Sequence, residues 1–166
     1  MTPRPFLRLL VALSIAIGAS GAMATESPDA VFDRYVKAVH TADMAAVRAL
    51  IAPDVERSNF RRCMPEMNNP TCLAFYIEST VVEPRAKLTV VNRRLEGDTV
   101  TADLEVRSEL YTKAGVERIV GQDIVRVRNG LIHGFRFVPN FNDEQTAIFF
   151  ATLGVGPRAA RPAPKS

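Results

Sequence analysis

Large apolar side chains recur at three- and four-residue spacing through the first half of the chain after residue 27. From residue 87 they alternate with polar ones. That change of period predicts helices first and strands afterwards. Ser27-Pro28-Asp29 combines an N-cap, a proline at the first helical position and an acid in the first turn, so a helix should run to about His40. Its apolar stripe is Val31, Phe32, Tyr35, Val36 and Val39. Asp43 can cap a second helix carrying Met44, Val47, Leu50 and Ile51, which Pro53 ends. Asn69-Pro70 signals a third, continuing through Leu73, Tyr76, Ile77 and Thr80 until Pro84.

The strand period is cleanest where Val100, Ala102, Leu104 and Val106 alternate with Thr101, Asp103, Glu105 and Arg107. A strand from Lys87 to Leu95 precedes it across Glu96-Gly97-Asp98. Lys113-Ala114-Gly115 leads into another from Val116 to Val127, and Asn129-Gly130 turns the chain into a fourth, Leu131 to Val138. Consecutive hairpins make neighbours in a sheet. Asn142 then caps a short helix, with Gln145 at the capping-box position and Gly154 just past its end. The order predicts an α+β fold with N-terminal helices packed in the concave face of a curved antiparallel sheet, which can leave a conical cavity.

Composition narrows the classes. The chain has 166 residues, a formal charge of +3, two histidines and two cysteines. A multi-ligand zinc cage is therefore excluded, and no cofactor is implied. Arg4, Arg8, Arg158, Arg161 and Lys165 lie near the two ends, leaving 16 basic against 18 acidic side chains between them. A basic face for nucleic acid is not supported. Residues 1–24 read as a signal peptide, with Arg4 and Arg8 before the apolar run Leu9 to Ile17 and small residues ending in Ala22-Met23-Ala24. The run is shorter than the roughly 20 residues that span a bilayer, so no membrane span is expected after cleavage. The expected organisation is one domain over residues 25–154 and a disordered tail over residues 155–166 rich in proline and basic groups, in a protein of the periplasm or the cell exterior. In an oxidising compartment Cys63 and Cys72, with eight residues between them, favour a disulfide over a redox-active pair, which would need closer spacing.

Two stretches carry a resemblance to a known family. They are Val31-Phe32-Asp33-Arg34-Tyr35-Val36-Lys37-Ala38-Val39 through Asp43 to Ile51, and Gly121-Gln122-Asp123-Ile124-Val125-Arg126-Val127 with Asn129-Gly130-Leu131-Ile132. Over about Ser27 to Asn142 the chain resembles the nuclear transport factor 2-like superfamily, whose cystatin-like fold is a conical sheet. Within it the chain is similar to ketosteroid isomerases and SnoaL-like polyketide cyclases. The resemblance implies Tyr35 and Asp123 as the paired oxyanion-hole donors. Counted without a gap from Tyr35, the family's aspartate base falls on Asn59, and an amide does not accept a carbon-bound proton at neutral pH.

Each candidate also has a plainer role. Asp123 shares a strand face with Ile119, Gly121, Val125 and Val127, so it is either a neutral acid that donates to a ligand or an ordinary buried aspartate. Tyr35 can be core or pocket wall. His133 alternates with Leu131, Phe135 and Phe137 and is the candidate proton carrier, or a histidine held by one hydrogen bond. Arg61 and Arg62 can clamp an anion or be solvated. Val120 and Ile124 interrupt the polar outer face and can seed a homodimer there.

Three functions follow. The first is a pocket protein for an apolar small molecule with an oxygen acceptor, contacted by Tyr35, Asn59, Asp123, Phe135 and Phe137. The second is an isomerase, cyclase or dehydratase using Tyr35 and Asp123 as donors and His133 or water for the proton. The third is an envelope interaction module whose cavity is filled by its own phenylalanines.

Overall fold

The computed structural model describes residues 26–56 and 63–156. The leader, Asn59, Arg61, Arg62 and the chain after residue 156 lie outside the described residues. Helix α1 (Pro28–His40) starts at Ser27, whose hydroxyl accepts from the Ala30 N–H at 3.2 Å. Helix α2 (Met44–Leu50) is capped by the Asp43 carboxylate on the Ala46 N–H at 2.9 Å. It stops short of Pro53. Ile51 turns extended and bridges Ile132 in parallel, and Ala52 N–H donates to the Ile132 carbonyl at 3.0 Å. A tertiary pairing thus ends the helix before proline does. Helix α3 (Asn69–Ile77), capped by Asn68, runs on as a π-helical turn over Glu78–Val82. The Cys63–Cys72 disulfide joins its first turn to the preceding loop, with the two Cα atoms 5.3 Å apart.

Strands β1 (Lys87–Glu96), β2 (Thr99–Arg107), β3 (Ile119–Arg128) and β4 (Leu131–Pro139) form one antiparallel sheet in chain order. The β3–β4 turn is Asn129-Gly130, both at positive φ (51° and 75°), the mirror-image turn that suits twisted strands. Val100, Ala102, Leu104 and Val106 of β2 and Ile119, Gly121, Asp123, Val125 and Val127 of β3 line the concave face. Helix α1 packs across it against β1, β2 and β3 through the stripe the sequence marks. Val31, Phe32 and Tyr35 are at most 1% exposed, and each large side chain removed from water there stabilises the fold by about 1.5 to 3 kcal/mol. Arg93 of β1 pins the helix from above, 3.2 Å from Asp29 and 2.6 Å from Asp33, with its guanidinium 5.8 Å from the Phe32 ring centre.

Four features depart from the sequence expectation. Strand β3 begins at Ile119 rather than Val116, because a short helix, α4 (Glu109–Lys113), occupies part of the connection. Helix α5 (Glu144–Thr152) is capped by Asp143 and not by Asn142, so Gln145 is not in a capping box; its Oε1 accepts instead from the Glu117 N–H at 2.8 Å. Strand β1 bulges at Val91. Strand β4 bulges at His133, since Arg126 pairs with Gly134 while Val127 pairs with Ile132. The bulge breaks the alternation expected along β4. Ile132 and Phe135, not His133, are the buried residues there.

Candidate functional site

Asp123 sits mid-strand in β3, opposite Ala102 of β2 and Phe137 of β4. Period-two alternation aims its carboxyl at the concave face, where it is 3% exposed. Burial is the sole cause of its raised pKa, about 7 against an ordinary 3.8. Among the described residues the carboxyl has no hydrogen-bond or ion-pair partner to hold its charge. Near neutral pH a large fraction of Asp123 is therefore the neutral acid, which can donate.

Tyr35 reaches the same space from α1. Burial pushes its hydroxyl well above the ordinary pKa, and the Asp123 charge and Tyr76 push it further. Its hydroxyl oxygen is buried and forms no hydrogen bond among the described residues. Tyr76 of α3 and Tyr111 of α4 are also raised by burial first and by Asp123 second, Tyr111 to about 12. The chain contains three tyrosines, and all three feel the Asp123 charge. This electrostatic link between three phenols and one acid is only half visible in the sequence. Tyr76 reads there as one more apolar-stripe residue, and Tyr111 falls in a connection that carries no periodicity.

The phenylalanines complete the wall. The Phe135 ring meets Tyr35 edge-on at 5.5 Å and lies 6.3 Å from Tyr76. Phe137, half-buried, lies over Gly121, where a Cβ would stand 2.5 Å from its Cζ. Phe137 in turn stacks on Phe150 at 6.4 Å, and Phe150 meets Phe141 edge-on. Tyr35, Asp123, Phe135 and Phe137 are thus brought together on one face.

His133 is placed elsewhere. The bulge turns it toward the 51–56 segment, where Nδ1 stands 3.0 Å from an Asp54 carboxylate oxygen, at ion-pair distance but outside hydrogen-bond geometry. Its carbonyl accepts from the Glu56 N–H at 2.8 Å. The expectation that it shares the apolar face with Phe135 and Phe137 is corrected by that extra residue in β4. His40 accepts from the Leu88 N–H through Nε2 at 3.3 Å.

Two clefts are lined by described residues. One, of about 500 Å³, lies between Arg85, Lys87, Arg107 and α4. The other, of about 290 Å³, lies between α2 and α3. Neither is lined by Tyr35 or Asp123, whose surroundings are packed by the aromatic rings. Among the described residues no group of three His, Cys, Asp or Glu side chains is placed to hold a metal, and no helix is long and apolar enough to cross a membrane.

No family model and no curated protein sequence matches the chain. Solved structures do. A nuclear transport factor 2-like protein of unknown function from Cytophaga hutchinsonii superposes with a TM-score of 0.52 at 10% identity, covering 72% of this chain and 96% of that one. A Δ5-3-ketosteroid isomerase from a Mycobacterium species gives 0.54 at 17% identity over 70% and 96% of the two chains. A Mycobacterium tuberculosis protein in complex with estradiol-17beta-hemisuccinate gives 0.55 at 19% identity over 70% and 97%. The helices on the concave face, the four-stranded curved meander and these superpositions together show that the chain has the nuclear transport factor 2-like, cystatin-like fold.

Proposed function

We propose that this is an exported protein of the periplasm or cell exterior that binds a small, largely apolar molecule through an oxygen acceptor held by Tyr35 and Asp123. One observation carries the reading: on one concave face stand a phenol whose buried oxygen forms no hydrogen bond among the described residues and a buried carboxyl, raised by burial alone, that is mostly neutral below about pH 7. A buried polar group without a partner costs about 1 to 3 kcal/mol, and a ligand oxygen that accepts from both offsets that cost. Two convergent donors suit an oxyanion or an enol-like oxygen better than a carbonyl already hydrated in water. The aromatic wall of Phe135 and Phe137 suits a flat apolar body, and entry requires the half-buried Phe137 to swing from Gly121. The steroid ester bound by the Mycobacterium tuberculosis neighbour makes steroids and phenols the first probes.

Calorimetry decides it. Asp123→Asn keeps a donor and should bind a steroid phenol like the wild type, whereas Asp123→Leu should weaken binding by about 1 to 3 kcal/mol. Equal affinity in all three proteins removes the oxyanion-hole reading. Catalysis is a second reading, supported by the Asp123 pKa of about 7, which suits an acid working near neutrality. Among the described residues His133, the base candidate, is turned away toward Asp54, and Asn59 is an amide in sequence. Enone isomerisation by the wild type at a rate that His133→Gln abolishes would establish it.

A further inference from the structure

Strand β1 is an edge of the sheet, with no further strand beside it among the described residues. Of its ten residues only Leu88 is buried, while Val90, Val91 and Leu95 are 37%, 69% and 45% exposed. A long, exposed edge with apolar side chains is a template for another strand. The outer face of the sheet, where Val120 and Ile124 stand half-buried among Asp103, Gln122 and Arg126, offers much less.

The bulge at Val91 makes this edge complementary to itself. In a regular strand, residues an odd number of positions apart lie on opposite faces. Across β2, however, Leu88, Val90, Arg93 and Leu95 stand opposite Val106, Leu104, Ala102 and Val100, all on the concave face. Lys87, Thr89, Arg94 and Glu96 stand opposite Arg107, Glu105, Thr101 and Thr99 on the outer face. The extra residue therefore puts Leu88 and Leu95 on one face and Lys87 and Glu96 on the other. We propose that two copies of this chain pair antiparallel along β1 about a two-fold axis between Val91 and Asn92, making one continuous sheet.

In that register the residues on either side of the bulge meet partners from their own face: Leu88 and Val90 meet Leu95 and Arg93, and Lys87 and Thr89 meet Glu96 and Arg94. Leu88 faces the second copy's Leu95, and Lys87 faces the second copy's Glu96, each contact occurring twice as an isologous interface requires. Neither Lys87 nor Glu96 has an ion pair among the described residues, so both are free to form these. The backbone agrees. The Leu88 N–H is turned away from β2, since it donates to His40 at a long 3.3 Å, and alternation turns the Val90 N–H the same way. The second copy's Leu95 carbonyl replaces His40 on the first of these donors. The match of Leu88 with Leu95 and of Lys87 with Glu96 in this self-pairing is the argument for a second copy as the occupant.

Sedimentation of the purified full chain at low salt tests this. The wild type should form a dimer that weakens as salt is raised. Glu96→Lys or Lys87→Glu alone places like charges opposite one another and should raise the dissociation constant about tenfold or more, while Lys87→Glu with Glu96→Lys should restore the dimer. Val90→Pro removes an outward donor without touching the β2 ladder, and should give a folded monomer by circular dichroism. A wild type that stays monomeric, a dimer indifferent to the single reversals, or a double reversal that fails to rescue would each overturn the proposal.

Discussion

The ring of Phe137 occupies the place where a side chain on Gly121 would begin. An added Cβ would meet Cζ of Phe137 at 2.5 Å and the Val138 carbonyl oxygen at 2.6 Å, and the second of these is backbone. Gly121 is thus the residue that lets β4 lay an aromatic ring across β3 beside Asp123.

Gly121→Ala should accordingly destabilise the protein by about 1 to 3 kcal/mol through overpacking. Pairing it with Phe137→Ala should recover part of the loss, because one of the two clashes disappears while that with the carbonyl remains. Urea midpoints of the single and double variants measure this. Full additivity would show that the ring does not press on Gly121.

Asp123 makes stability depend on pH with a definite sign. Its folded pKa of about 7 lies above the ordinary 3.8, so the folded state holds the proton more tightly than the unfolded one. The contribution is complete below about pH 4, declines as pH rises toward 7, and is lost above it. The full span is about 4 kcal/mol by linkage. Asp123→Asn should flatten that decline, so that the variant gains on the wild type between pH 5 and 9 on the order of a few kcal/mol. Denaturant midpoints at both ends of the range supply the comparison, and parallel pH profiles would mean that Asp123 is not titrating in the folded state.

The bridge between Cys63 and Cys72 closes a short loop against α3. Thiol titration of denatured, unreduced protein should find no free thiol from this pair. Reduction should lower stability by about 2 to 3 kcal/mol, the chain entropy regained by a loop of this length. Because the bridge is remote in sequence from Tyr35 and Asp123, probe binding by the protein that stays folded after reduction should be unchanged. A large loss of affinity would assign the loop a part in the site.

Arg93 joins α1 to the exposed strand through Asp29, Asp33 and the Phe32 ring. These contacts are partly solvent-screened, so Arg93→Ala should cost only about 1 kcal/mol. Arg93→Met keeps the apolar stem over Phe32 and should recover part of it. Thermal midpoints at low and high salt separate the two contributions, since only the ion pairs weaken with salt.

The sequence by itself determined the elements whose signals are local. The caps at Ser27 and Asp43, the Asn129-Gly130 turn and the period-two faces of β2 and β3 each depend on neighbours within a few positions. The inward direction of Asp123 was legible for the same reason. Only the tertiary structure decided where that local logic yields. Helix α2 ends before Pro53 because Ile51 finds Ile132, Asp143 rather than Asn142 caps α5, and Gln145 is drawn to the Glu117 N–H. The two bulges are of this kind as well. A single extra residue leaves no mark on composition or period, yet it moves His133 off the face of Phe135 and brings Leu88 and Leu95 onto one face of β1. Tyr76 of α3 and Tyr111 of α4 come to feel the Asp123 charge only through tertiary packing. Long-range packing determines which residues meet, and no window of sequence contains it.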